Sequence, residues 1–164
     1  MADFPPVPDQ HQVDAFWAAF QAATGHDGAP TAVYPFGDSA ELAEQLLALI
    51  LAGRKQATAD LAMFYQVEGE PVPQPGDHAV VLDAAGRPRC VIRTTQVDIV
   101  PYGEVTAEFA AAEGEGDLSL EYWRQAHWDY YTRWLEPRGL TMRQDYPIVC
   151  ERFELIWAAA APPG

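Results

Sequence analysis

The chain has 164 residues, 49% of them hydrophobic and 12% aromatic, enough for one substantial core and too few for two full domains. Its formal net charge of −14 repels polyanions over the surface as a whole and lacks the basic footprint of a duplex-DNA binder. No apolar run approaches the roughly 20 residues that cross a bilayer, and the opening Met-Ala-Asp-Phe-Pro-Pro lacks a signal-peptide pattern, so a cytoplasmic protein with no membrane partner is expected.

The first ten residues, rich in Pro and polar groups, read as a frayed tail. Val13, Phe16, Trp17 and Phe20 recur at helical spacing and predict a helix that packs on the core and ends near Thr24-Gly25. Residues 28–37 read as a loop. Asp38 with Glu41 has the form of a capping box, opening a second helix with Leu42, Leu46, Leu49 and Ile50 as its buried stripe. Gly53 supplies the left-handed residue that ends a helix, which places Lys55 and Thr58 on a turn or strand start. Residues 66–77 hold Gly69, Pro71, Pro73, Pro75 and Gly76, too many breakers for regular structure. A strand over Ala79–Leu82, a hairpin turn at Asp83–Gly86 and a strand from Arg89 to Val100 follow. In the last of these, apolar phase shifts from Cys90, Ile92 and Thr94 to Val97 and Ile99, which predicts a β-bulge. Val105–Ala112 reads as a short helix. Glu113–Asp117 is an acidic, Gly-rich loop of a composition that cannot pack a core and is either solvent-exposed or functional. A third helix is capped by Asp117 or Ser119, carries Leu120, Trp123, His127, Tyr130 and Trp134 on one face, and stops at Pro137. Ile148–Trp157 completes the sheet. This mixed order predicts an α+β fold, a small curved sheet or barrel with helices around it. Cys90 and Cys150 sit in β-type apolar runs and are expected to be buried thiols.

No phosphate-binding Gly loop, Cys-x-x-Cys or His-x-x-x-His spacing, or Gly-x-Ser-x-Gly elbow occurs, so neither a cofactor nor a metal is expected. The histidines, His11, His26, His78 and His127, are scattered; His127 stands out because it shares a face with Trp123 and Tyr130. Of the ten basic residues all but Lys55 are arginine. Arginine does not give up its proton in a protein and a desolvated lysine can, so a site needing an amine base is one place arginine could not serve.

Four stretches together resemble an ASCH domain: Ile50-Leu-Ala-Gly-Arg-Lys-Gln-Ala-Thr58, Pro75-Gly-Asp77 leading into a strand, the run from Ala112 to Trp123, and Val149-Cys-Glu-Arg-Phe153. The likeness spans about residues 30–157 and is nearer the longer bacterial branch of that superfamily. It leaves residues 1–29 as a tail and a helix on the core, and residues 158–164 as a disordered tail. It implies a small PUA-like β-barrel surrounded by helices, with a cleft in which the Gly53-x-Lys55-x-x-Thr58 motif faces the acidic loop. Members of the superfamily are linked to RNA. Some small bacterial ones are amidohydrolases that remove the acetyl group from N4-acetylcytidine with a lysine, a threonine and a glutamate; others are described as ribonucleases or RNA-binding modules.

On the matching positions the three catalytic residues are Lys55, Thr58 and Glu115. Thr58 would attack the acyl carbonyl, and Lys55 would act as base if burial lowered its pKa towards neutrality. Glu115 would orient the amine or activate the hydrolytic water. Backbone N–H groups near Gly53 would hold the oxyanion. Arg54 and Arg93 are expected to hold a ligand, Tyr65 or Trp128 to stack on a base, and Glu113 and His127 to complete the substrate site. One departure bears on the ligand: the shorter motif often carries an arginine two positions after the threonine, where this chain has Asp60. A phosphate contact is lost there, which favours a nucleoside over a polymer. The expected activity is deacylation of a modified pyrimidine nucleoside. The rivals are an RNA-binding module and a ribonuclease in which Lys55 stabilises the phosphorane and His127 or a carboxylate does the acid–base work. The oligomeric state is left open.

Overall fold

Asp9 begins the ordered helical structure by accepting from the backbone N–H groups of His11 and Gln12, and Gly25, in the left-handed region, closes the helix that follows. The structure, a computed structural model, describes residues 3–159, so residues 1–2 and 160–164 of the expected tails lie outside the described residues. In chain order the elements are α1 (Gln10–Thr24), β1 (Ala32–Pro35), α2 (Ala40–Leu51), β2 (Ala57–Leu61), α3 (Ala62–Glu68), β3 (His78–Leu82), β4 (Pro88–Pro101), α4 (Ala107–Ala112), α5 (Leu120–Leu135) and β5 (Pro147–Ala158). Short 3-10 turns occupy Tyr102–Glu104 and Glu136–Arg138. The strands run β1-β3-β4-β5-β2 in one sheet, and the α+β class holds. The described residues divide into two compact units, one of residues 3–53, 76–94 and 153–159 and the other of residues 54–75 and 95–152.

In the first unit, alternation along β3 and β4 sends side chains to two helical layers. Val80, Leu82 and Val91 pack with Val13, Trp17 and Phe20 of α1. Val81, Cys90 and Ile92 pack with Leu46, Leu47 and Ile50 of α2 and with Phe153. Strands covered on both faces read as unbroken apolar runs, which is what β3 shows. The loop expected over residues 28–37 contains β1, a four-residue strand that pairs parallel with β3. The N-cap of α2 is Ser39, whose hydroxyl accepts from the N–H of Leu42, and not Asp38. The buried stripe of α2 is Ala43, Leu46, Leu47 and Ile50, with Leu42 and Leu49 half-buried. The register shift falls at Val81/Leu82, opposite Pro88 and Cys90, so Arg89 is the extra residue and the bulge lies ahead of the expected phase change. The turn between these strands is built on Asp83, a buried carboxylate that accepts from the N–H groups of Ala85 and Arg87.

In the second unit, β2 pairs antiparallel with β5, from Ala57 opposite Arg152 to Leu61 opposite Ile148. Ala57, Ala59 and Leu61 join Ile148, Cys150, Phe109, Trp123, Tyr131 and Leu135 in one core. Residues 66–68, expected to be irregular, belong to α3, a short helix with no side-chain cap and no fully buried residue. Helix α5 is capped by Ser119, and its buried face is Trp123, Tyr131 and Leu135, one position on from the expected Tyr130 and Trp134. Both cysteines are free and buried, and burial pushes each thiol up to about 12. Among the described residues no helix is long and apolar enough to cross a membrane.

Candidate functional site

Ala52 and Gly53, the latter at φ 75°, turn the chain out of α2, and three residues without regular structure carry it to β2. Lys55, in that stretch, is 2% exposed, although a lysine is among the residues least often buried unless paired. Its partners come from the acidic loop after α4. Lys55 Nζ lies 3.3 Å from Glu113 Oε1 and 2.9 Å from Glu115 Oε2. The loop is docked by backbone: Gln56 N–H donates to Ala112 O at 2.8 Å. Gly114 sits at φ 73°, and a Cβ there would meet the Arg54 carbonyl oxygen at 2.3 Å. The Glu-Gly-Glu spacing therefore has a physical reason: glycine lets two carboxylates reach one amine from a backbone in direct contact with the lysine segment.

Glu113 is the hub of the cluster. A loop of this composition is expected to leave it solvated or facing substrate, yet it is 1% exposed. One oxygen accepts from Lys55; the other accepts from Trp123 Nε1 and from His127 Nε2, the latter at 2.9 Å. So enclosed, the Glu113 carboxylate is fully engaged by its three donors. His127 Nδ1 lies 2.9 Å from the carbonyl oxygen of Trp123. Both ring nitrogens thus face acceptors, which favours a proton on each, and the imidazole ring stacks on the Trp123 ring at 4.2 Å between centroids.

The electrostatics agree with that geometry. Desolvation, the largest effect on Lys55, pulls its pKa down, but the carboxylates of Glu113 and Glu115 outweigh it and the net shift is upward. This upward shift runs against the condition attached to an amine base, a pKa lowered towards neutrality, and favours the ammonium form of Lys55. Burial likewise opposes the charge of His127 and is outweighed by Glu113, so its pKa is raised. Glu113 is held well below the usual carboxylate range despite its burial, by His127 and Lys55 and by the hydrogen bonds it accepts. Two cations thus face two carboxylates. Glu113, Glu115 and His127 each offer a ligand atom, all within 4.8 Å of one another, an arrangement the sequence spacing does not reveal. The Lys55 ammonium already lies between the two glutamates, where a metal ion drawing on them would have to compete with it.

Thr58 and Asp60 occupy alternate positions of β2 and so share the side opposite Ala57, Ala59 and Leu61. Glu151 lies opposite Thr58 in the register and is buried. Asp60 counts in the sequence only as a missing arginine. Here burial first, then Glu113 and Glu151, push its carboxyl up to about 7, against the opposing pull of His127 and Lys55. Tyr65 is half-buried on α3, and burial followed by Asp60 and Glu151 drives its phenol upward. Trp128 packs edge-on against Tyr102 at 5.4 Å, a core contact. Arg54 is exposed, with its backbone against Gly114. Arg93 belongs to the first unit and pairs there with Glu154. The second unit thus brings together Lys55, Glu113, Glu115 and His127 directly, with Asp60 and Tyr65 in electrostatic range. Trp123 and Asp60 are site residues that sequence reasoning missed. Trp123 could have been flagged because it lies four residues before His127 on one helix face.

A family model described as an ASCH domain matches residues 32–157. A crystal structure of a protein from Enterococcus faecalis V583 superposes with a TM-score of 0.83 at 34% identity, covering 92% of this chain and 91% of that one. The crystal structure of an ASCH domain from Lactobacillus crispatus JV V101 gives 0.84 at 28% identity, covering 96% and 99%. A search among curated proteins finds no match.

Proposed function

Because the chain belongs to the ASCH domain family, with a PUA-like fold associated with RNA binding or hydrolase activity, we propose that it is an amidohydrolase that deacylates a modified pyrimidine nucleoside of the N4-acetylcytidine type. The observation that carries this reading is the ion pair of Lys55 with Glu115 at 2.9 Å, in which the lysine side chain is 1% and the glutamate 22% exposed. Desolvated charge at the edge of a buried network costs stability that well-packed apolar residues would not, and such sites are enriched in function.

The roles differ from the sequence expectation in one respect. Thr58 remains the nucleophile. Lys55, as an ammonium, stabilises the charge that develops on the acyl oxygen, and Glu115 holds it at the mouth of the cluster. Glu113 and His127 fix that arrangement from below. Thr58's proton then goes to a carboxylate. The RNA readings are less favoured, since Lys55 and His127 are already matched by Glu113 and Glu115 and the cluster offers a phosphodiester no net positive charge.

The test is release of cytidine from N4-acetylcytidine by the purified protein, run beside Lys55→Arg. Wild-type turnover and a loss of about 100-fold or more in the variant are expected, because a guanidinium cannot take the compact position of the ammonium between two carboxylates. No turnover by the wild type, or unchanged turnover by the variant, contradicts the proposal.

A further inference from the structure

We infer that Asp60 is the proton-exchanging carboxyl of this site, taking the Thr58 proton through a water as the acyl bond is attacked and returning it to the leaving amine. The inference rests on the amidohydrolase reading and assigns it the acid–base group it lacks. Its geometry comes from β2. Asp60 shares Thr58's side of the strand two residues on. It also lines a small cavity with Leu61, Phe64, Tyr130, Tyr131 and Trp134, near the size of one water. The hydroxyl of Tyr131 on that wall is buried and has no hydrogen-bond partner among the described residues. A buried, unsatisfied hydroxyl beside a carboxyl, in an otherwise aromatic enclosure, is a place where an ordered water gains two polar partners.

The charged and titratable neighbours come from every packed element: Lys55 ahead of β2, Tyr65 on α3, Glu113 after α4, His127 and Tyr131 on α5, and Glu151 on β5. They divide the site's labour. Glu113 is held ionised by three donors and is a weak base, and Lys55 is held protonated. Asp60, balanced near 7, can both accept and donate at neutral pH. As Thr58 Oγ1 bonds to the acyl carbon its proton passes by the water to Asp60, and the carbonyl electron pair moves onto oxygen beside Lys55. Collapse breaks the C–N bond, and the nitrogen takes the proton from Asp60. A second water then attacks the threonyl ester and gives Asp60 its proton; the Oγ1–C bond breaks, the carboxylic acid leaves and Thr58 regains a proton.

A carboxyl held above its usual range lowers stability once the unfolded chain has ionised, so the fold loses by keeping Asp60 and its replacement should stabilise. Asp60→Asn is therefore expected to melt at or above the wild-type temperature on the alkaline side of neutrality while losing about 100-fold or more in turnover. In the wild type, kcat/KM should rise with pH through a neutral transition that the variant lacks. Carbon-13 NMR of the carboxyl, assigned by its absence in Asp60→Asn, reads the same exchange without substrate. If the wild type releases no cytidine, the substrate reading falls, and a neutral titration of Asp60 still upholds its exchange role. An Asp60→Asn protein with wild-type rate and pH profile, or an Asp60 carboxyl that keeps one protonation state across neutrality, overturns the inference.

Discussion

Glu113→Gln is expected to lower stability at neutral pH by about 3–5 kcal/mol, the cost of removing one partner from a buried ion pair. The variant leaves the buried Lys55 and His127 with Glu115 as the remaining carboxylate among the partners described for them, and an amide in place of the charge that holds both. The loss has a pH signature of known sign. Glu113 is depressed from 4.5 to about 2, so its contribution is complete above the unfolded value and disappears as pH falls through that window. Denaturation of the two proteins side by side should therefore show a gap that is wide at neutrality and closes between about pH 4.5 and pH 2. His127 has the opposite sense: its pKa is raised, so its contribution is present below 6.5 and is lost as pH rises through the folded value. A gap that stays constant with pH would mean that Glu113 contributes packing and not charge.

Gly114→Ala is expected to disable the site through the backbone. A left-handed conformation costs a residue with a Cβ about 1–2 kcal/mol, and forcing an atom into a filled space typically adds about 1–3 kcal/mol. Here the atom would lie 2.3 Å from the Arg54 carbonyl oxygen and 2.9 Å from the Lys55 nitrogen, both backbone and unable to swing away. The loop must lift, and Glu113 and Glu115 then leave Lys55. Gly69→Ala is the control, since Gly69 has φ 68° in the same unit but nothing within 4 Å of the position a Cβ would take. Chemical denaturation should show the larger loss for Gly114→Ala, with turnover falling only in that variant. Equal losses would show that strain alone matters and that the loop contact does not.

Much of the fold is legible in local sequence. Helix α1 announces itself through Val13, Trp17 and Phe20, the Asp83–Gly86 turn through its residue types, and Lys55 through being the one lysine. What local sequence does not reveal depends on tertiary context. The strand β1 is four residues inside a Gly- and Pro-bearing stretch and exists by pairing with β3. Helix α3 follows β2 directly, with neither a capping side chain nor a fully buried face to give it a period. The acidic loop looks too polar to pack, and Glu113 is nonetheless buried, because Lys55 and His127 arrive from 58 residues before it and from the next helix. Composition describes a segment's average environment; it does not reveal that one carboxylate of three is turned inward to meet two cations. Asp60 is hidden for a related reason, since its significance lies in the neighbours that surround it and not in the motif position it fills.

The central claim, that Thr58 is an acyl-transfer nucleophile working with the Lys55–Glu115 pair, is tested most directly by acid-quenching the protein during turnover of N4-acetylcytidine and mapping the acyl group by peptide mass spectrometry. The account predicts an acetyl group on Thr58, lost in Thr58→Val together with cytidine release. Cytidine released with Thr58 unmodified and Thr58→Val still active, or no cytidine from the wild type at all, would contradict it.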